Sequence, residues 1–312
     1  MSLHVVVGAG PVGSAVARML ADAGEDVRVV TRSGAGPMHP AIQRITADAS
    51  DRSRFVEVAK DAVALYNCAN PPYTRWGTDW PPLAASLLAA AEAADAVLAI
   101  TGNLYGYGPV SGPMTETTPL AATGRKGQVR IKMWHDALAA HEAGRIRTFE
   151  VRAADYVGAG AASVFSAVLL PAMTRDRTAW VPANVDLPHS FSYTGDVART
   201  LVTLAGDQRA WGRAWHVPSP PPIAIRDLAR RYFDVTGHPG VKIAGLPRWV
   251  MRAAAPVVPM ARELAEMDYQ FYAPFVLDSS AVTRTFGLTA SDLDVALREV
   301  ARGAEATAAR RM

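Results

Sequence analysis

The first fifteen residues constrain this chain more than any other stretch. Leu3-His4-Val5-Val6-Val7 is a short apolar run that passes directly into Gly8-Ala9-Gly10-Pro11-Val12-Gly13. Residues 14–21 follow with the apolar spacing of a helix. Strand, glycine turn and helix in that order give a G-x-G-x-x-G pattern the context of a dinucleotide fingerprint. Each glycine has its own task. Gly8 makes the tight turn, Gly10 lets a pyrophosphate approach the backbone, and Gly13 lets helix and strand pack closely. The N–H groups and positive end of the helix, with Pro11 and Val12 in its first turn, then hold the phosphates.

The first half of the chain continues that alternation. Residues 27–31 read as a second strand, 43–47 as a short third, 62–67 as a fourth, 96–100 as a fifth and 147–152 as a sixth. Helical patterns fall at 56–60, 82–94 and 128–143. Alternating strands and helices predict an α/β fold, a Rossmann-type doubly wound parallel sheet with its ligand outside the carboxyl ends of the strands. The second half loses the rhythm. It offers an apolar helix at 164–173, a proline-interrupted stretch at 180–196, a helix at 197–205 capped by Asp196, a strand at 214–217 and a helix at 225–236, with proline-broken helices to the end. The expected division is a dinucleotide-binding domain over 1–157 and a smaller, irregular, mainly substrate-binding lobe over 158–312, with about 190–217 returning to the core.

Composition removes several classes of function. At 50% hydrophobic and 20% charged over 312 residues, the chain can bury a large core. Its net charge is only +3, and no Lys/Arg run is interleaved with aromatics, so no nucleic-acid surface is expected. The one cysteine, Cys68, rules out an internal disulfide and fits a reducing compartment. The most apolar long stretch, 83–100, carries Glu92 and Asp95, too polar for a membrane span. With a strand pattern rather than a leader at the start, the expected location is cytoplasmic. His135, His141 and His189 lack ligand spacing, so no metal is expected.

The end of the second strand speaks to the choice of cofactor. A unit selecting NAD carries an acid about twenty residues after the glycines, bonded to the ribose 2′-hydroxyl. Here the strand ends in Thr31-Arg32-Ser33, with no acid. Arg32 suits a bidentate, charge-assisted contact to a 2′-phosphate, and Ser33 adds a hydroxyl donor. NADP(H) is therefore expected over NAD(H).

Later stretches carry a family resemblance. Ala47-Asp48-Ala49-Ser50-Asp51, Asn67-Cys68-Ala69-Asn70, Thr101-Gly102-Asn103-Leu104-Tyr105-Gly106 and Ser192-Tyr193-Thr194-Gly195-Asp196-Val197-Ala198-Arg199 occur in this order. Over nearly its whole length the chain resembles the short-chain dehydrogenase/reductase superfamily, as an atypical member of its extended NAD-dependent epimerase/dehydratase-like branch. The resemblance implies that Asp48 and Ala49 lie at the adenine and that Cys68, Ala69 and Asn70 line the cofactor. It places Thr101 at the family's catalytic Ser/Thr, and Ala153-Ala154 where a Pro-Gly contacts the nicotinamide.

The family's Tyr-x-x-x-Lys pair is missing. Its spacing falls on Lys126 and Arg130, within Lys126-Gly127-Gln128-Val129-Arg130; a rival register falls on Gln128 and Lys132. Neither supplies a tyrosine. Three options stay open for the proton: Lys126 itself, activated by desolvation and by Arg130 one helical turn away; Tyr105 or Tyr107; or no shuttle, because the reaction is of another kind. Lys126 is in any case a cofactor candidate, as the family dyad is.

Aromatics cluster where a substrate would enter. Tyr73 and Trp76 sit in a proline-stiffened loop after the fourth strand, Asn103 and Tyr156 are expected at the same mouth, and residues 267–272 are candidates to close it. The leading expectation is an NADP(H)-dependent oxidoreductase acting on a small or medium, mostly apolar carbonyl, imine or activated alkene. The alternatives are a redox-neutral epimerase, isomerase or cyclase retaining the nucleotide, and a non-catalytic NADP-sensing regulator. The resemblance implies a possible homodimer through helices 82–94 and 128–143; faces such as Leu83, Leu87 and Leu88 are compatible with that and could equally cover the sheet.

Overall fold

The computed structural model describes residues 1–309. They form two compact units: Met1–Gly106, Arg125–Ala153 and Gly195–Val217 make the first, and Tyr107–Gly124, Ala154–Thr194 and the chain from Pro218 onward make the second.

The first unit contains helices Pro11–Asp22 (α1) and Arg52–Ala59 (α2), and strands Leu3–Val7 (β1), Asp26–Thr31 (β2), Ile42–Thr46 (β3), Ala62–Asn67 (β4), Val97–Asn103 (β5) and Arg147–Ala153 (β6). With a last strand, Ala214–His216, they form one seven-stranded parallel sheet. Its order is Ala214–His216, β6, β5, β4, β1, β2, β3, so the winding reverses between β1 and β4. A ligand crevice opens at such a reversal, and the glycine turn leaves β1 there. The inner strands are nearly continuous Val, Leu, Ile and Ala because helices cover both faces. On one face Val5, Leu65, Leu98 and Ile100 pack with side chains of Trp76–Ala94 (α3) and Arg125–Glu142 (α4), including Leu87, Met133 and Ala137. Leu83 and Leu87 are buried in this core and Leu88 packs against it, so these leucines cover the sheet.

Several boundaries differ from the pattern reading. Helix Arg52–Ala59 starts before residue 56, because the Asp51 carboxylate caps it by accepting from the Arg54 N–H at 3.1 Å. α3 starts at Trp76 rather than Pro82, with Pro81 and Pro82 inside it. Two missing backbone donors are offset by Trp76 and Trp80, one turn apart and 4% and 0% exposed. β5 runs on to Asn103, so Thr101 and Asn103 are strand residues paired with Val151 and Ala153, not loop residues. Helix Thr194–Ala205 begins before Asp196, which is not its cap. Asp196 lies buried in the first turn, where the positive helix end favours a carboxylate, and pairs with Arg199 at 2.8 Å.

The second unit has short two-stranded pieces. Asp155–Val157 runs parallel to Phe191–Tyr193, Ala179–Val181 parallel to Ile243–Gly245, and Pro188–His189 antiparallel to Ile223–Ala224. Its core gathers Phe165, Leu169, Val181, Leu228, Tyr232 and Leu297. The expected helix at 164–173 is a π turn, Phe165–Leu169, followed by Leu170–Thr174. Pro171 has no N–H for Ala167, and the wider turn precedes it. The final helix is Leu293–Ala309; the expectation for 310–312 lies outside the described residues. Among the described residues no helix is long and apolar enough to cross a membrane.

Candidate active site

The glycine turn has the geometry a dinucleotide needs. Gly8 sits at φ +97°, and a Cβ there would meet the Cys68 carbonyl oxygen at 2.7 Å. A Cβ on Gly13 would come within 2.0 Å of the Gly8 oxygen and 3.1 Å of Cys68 Cβ. Both glycines let the turn, the first helix and the loop after β4 close on one another. Gly10 differs: a Cβ there meets nothing within 4 Å. It is the N-cap of helix Pro11–Asp22 (12 residues) with no side-chain cap, and Pro11 opens the helix. Open space above uncapped helical N–H groups, with no side chain in the way, fits a pyrophosphate. The residues present therefore fit a bound dinucleotide.

Around this cradle the other cofactor candidates take their places. Thr31 ends β2, and its hydroxyl donates to the Ala35 carbonyl at 3.0 Å. Arg32 and Ser33 follow, both exposed. The Ser33 hydroxyl accepts from the Ala35 N–H at 3.4 Å. Asp48 Oδ1 accepts from the Ser50 hydroxyl at 2.7 Å and its N–H at 2.9 Å. These bonds, with a smaller contribution from Arg32, hold the Asp48 carboxyl below the usual carboxylate range. Ala49 is buried, Cys68 and Ala69 are half-buried, Asn70 is exposed, and Ala153 ends β6 in the core. Tyr156 and residues 267–272 belong to the second unit.

The residues standing in for the missing dyad are buried. Lys126 and Arg130, in the first two turns of α4, are 2% and 8% exposed, not a solvated pair. Arg130 donates from Nη1 to the Thr101 carbonyl at 3.2 Å. Its guanidinium lies 4.7 Å from the Trp76 ring and 4.5 Å from the Trp80 ring, in the angle between two indoles set edge to face. Lys126 Nζ stands 4.6 Å over the Tyr73 ring. Both contacts are within cation–π range. The Tyr73 hydroxyl donates to the Tyr105 hydroxyl at 3.4 Å, and Tyr105 stacks at a tilt on Trp76 at 5.7 Å. Asn103 accepts from the Tyr105 N–H at 3.1 Å and so fixes that turn. Tyr107 falls in the second unit.

Thr101 is anchored on two sides. Arg130 holds its carbonyl, and its hydroxyl donates to Cys68 Sγ at 3.6 Å. Burial pushes the Cys68 thiol up to about 12, against the lowering effect of the Thr101 hydrogen bond. The thiol therefore stays protonated near neutrality and acts as a hydrogen-bonding neighbour, not a nucleophile.

Three residues the sequence reading did not single out support this strand end. Glu150 Oε2 accepts from Arg152 Nε at 2.7 Å, both side chains being 4% exposed, and Arg152 lies 5.8 Å from the Trp134 ring. A Cβ on Gly102 would meet the Glu150 carboxylate at 2.5 Å, so glycine at 102 gives the ion pair its room. Opposite charges two apart between apolar residues, in Phe149-Glu150-Val151-Arg152, are the available signal. Removing one member of a buried pair leaves its partner's charge in low dielectric. Glu150→Gln is expected to destabilise the fold by about 3 kcal/mol, read as a lower denaturant midpoint at unchanged slope. An unchanged midpoint would show the pair to be dispensable.

Residues 4–215 match the NAD dependent epimerase/dehydratase family. No curated protein matches the sequence. Among solved structures, WbmH of Bordetella bronchiseptica in complex with NAD+ superposes with a TM-score of 0.76 at 17% identity, over 97% of this chain and 98% of that one. UDP-glucuronic acid 4-epimerase from Bacillus cereus, in complex with UDP-glucuronic acid and NAD, gives 0.77 at 16% identity, over 98% and 99%. The dTDP-glucose 4,6-dehydratase of Bacillus anthracis in complex with NAD gives 0.77 at 13% identity, over 98% and 97%. At such identities the likeness is one of fold. Together with the match over 4–215, the seven-stranded parallel sheet and the glycine cradle at its reversal point lead to one assignment: the chain belongs to the NAD dependent epimerase/dehydratase family.

Proposed function

We propose that the chain is an NADP(H)-dependent oxidoreductase that passes hydride to or from a small or medium, mostly apolar organic carbonyl, imine or activated alkene. The observation that carries this reading is the Tyr73–Tyr105–Lys126 cluster, in which two tyrosines from other segments join the lysine at the dyad's place. When bound, the nicotinamide dinucleotide supplies the hydride donor or acceptor. Thr101, fixed through its carbonyl by Arg130, turns its hydroxyl to orient the reacting oxygen or nitrogen. Tyr105, accepting from Tyr73, passes its own proton to that atom. The Lys126 ammonium over the Tyr73 ring stabilises the negative charge that the tyrosine pair gains as the proton leaves. The cluster's cations already face aromatic rings, which supports a largely uncharged substrate.

Arg32, exposed at the end of β2 where an acid would select NAD, supports NADP. With a panel of small apolar carbonyls, imines and activated alkenes, the purified protein is expected to consume NADPH, and NADH roughly tenfold less efficiently. Arg32→Ala should erase that preference by weakening NADPH alone. Equal use of both nucleotides by the unaltered chain would remove Arg32 from the recognition.

A redox-neutral reading draws support from the family and from the neighbours bound to both a UDP-sugar and NAD. A bound nucleotide that keeps its oxidation state through many turnovers, with an isomerised product and no net NADPH consumption, would favour it over the oxidoreductase.

A further inference from the structure

The second unit carries a cleft made entirely of its own residues, unconnected in sequence with the cradle and the cluster described above. It has a volume of about 280 Å³ and lies between the Phe165–Thr174 helical segment and strand Ala179–Val181. Pro171 and neighbouring small side chains form its apolar wall, Arg175 and Arg177 its rim, and Trp180 its far side. Trp180 is 57% exposed, against the general tendency of indoles to be covered. The strand register explains why. Ala179 and Val181 point into the core, so Trp180 between them points out. Its partner in the register is Ala244, and the exposed Lys242 immediately precedes that neighbouring strand, two residues before Ala244. The Ala179 N–H donates to the Lys242 carbonyl at 2.8 Å, which fixes the two strands side by side.

The electrostatics of this surface are unbalanced. Several other arginines of the second unit are engaged: Arg226 with Asp186, Arg231 with Asp294, and Arg248 with Asp268. Arg175, Arg177 and Lys242 have no side-chain hydrogen bond or ion pair among the described residues. Asp176 is the one acid in this turn, held between the arginines at φ +47°. Two guanidinium groups and an ammonium beside an open indole face match one chemistry, an anionic phosphate joined to a flat ring. The cations take the phosphate oxygens through charge-assisted bonds, and the ring stacks on the indole.

We propose that this cleft binds a small organic phosphate bearing a flat ring, the class to which mononucleotides belong, as a second ligand site independent of the dinucleotide cradle. Arg175 and Arg177 hold the phosphate, Lys242 adds charge, and Trp180 receives the ring.

The test is calorimetric titration of adenosine monophosphate into the full chain already saturated with NADP+, so that the cradle is filled. Adenosine and inorganic phosphate serve as the half-ligands. Adenosine monophosphate is expected to bind at sub-millimolar concentration, roughly tenfold or more tighter than either half-ligand. Arg175→Ala with Arg177→Ala, and separately Trp180→Ala, should each weaken it roughly tenfold while leaving NADP+ affinity and the melting temperature unchanged. All three side chains are exposed, so the variants fold. No heat with adenosine monophosphate up to about 1 mM, an affinity unchanged in both variants, or inorganic phosphate binding as tightly as the nucleotide would each overturn the proposal.

Discussion

Gly10→Asp is expected to abolish dinucleotide binding without lowering the melting temperature, whereas Gly13→Ala is expected to cost stability as well. The two glycines lie three residues apart in one turn, yet their surroundings are opposite. At Gly10 the backbone is extended, φ −69° and ψ −176°, a conformation any residue adopts, and a Cβ points into open space. Aspartate is a preferred helix N-cap, and its carboxylate accepts from the N–H groups that otherwise face the phosphates. The fold therefore gains a cap while the ligand meets both a steric block and a like charge. Affinity for NADP(H) should fall roughly a hundredfold or more. At Gly13 the added methyl would stand 2.0 Å from the Gly8 carbonyl oxygen, a backbone atom that moves only if the turn or helix moves. The expected cost is about 3 kcal/mol, or roughly 5–10 °C in a protein of this size. Titration with NADPH and a thermal melt of both variants separate the effects. A Gly10→Asp variant that still bound NADPH normally would show that the cradle is not where the pyrophosphate sits.

The glycine turn was legible from sequence because backbone sterics are local. Its three glycines fall within one strand–turn–helix segment, with the loop after β4 also closing on Gly8 and Gly13, and the alternation of strands and helices likewise follows from burial on both faces. The cluster proposed to handle the proton is only half legible. The family resemblance gives positions for Thr101, Lys126 and Arg130, but their environments depend on α3, and the sequence pattern starts that helix only at Pro82. The prolines mask the helical spacing of Trp76 and Trp80, so the sequence pairs Arg130 with Lys126, whereas in the structure its contacts include two indoles and the Thr101 carbonyl. Tyr73, a substrate candidate from the sequence, also lies beneath the lysine. The roles of Glu150 and Arg152 are not legible in the sequence because their meaning lies in Gly102 on the adjacent strand, a contact that only sheet register reveals.

Tyr105→Phe is expected to lower turnover roughly a hundredfold or more while leaving NADPH affinity intact. The phenyl ring keeps the tilted stacking on Trp76, so the change removes one oxygen and its proton and little else. Lys126→Met keeps a chain of similar length beneath the buried surface but withdraws the positive charge over Tyr73, and a similar loss is expected. The informative measurement is the pair together. If tyrosine and lysine act as one device, the double variant should be about as slow as the slower single variant, because either change alone already disables proton transfer. Independent roles would instead multiply the two losses. Tyr73→Phe completes the set: it keeps the ring face under the ammonium but removes the hydroxyl that donates to Tyr105, so its effect reports the hydrogen bond apart from the charge. Normal turnover in Lys126→Met would take the lysine out of the mechanism and leave it a packing role over Tyr73. Normal turnover in Tyr105→Phe would move the proton to another donor. Loss in both, with nucleotide binding retained, is the result expected if this chain has rebuilt its acid from two tyrosines and a lysine on separate segments in place of the family's dyad on one helix.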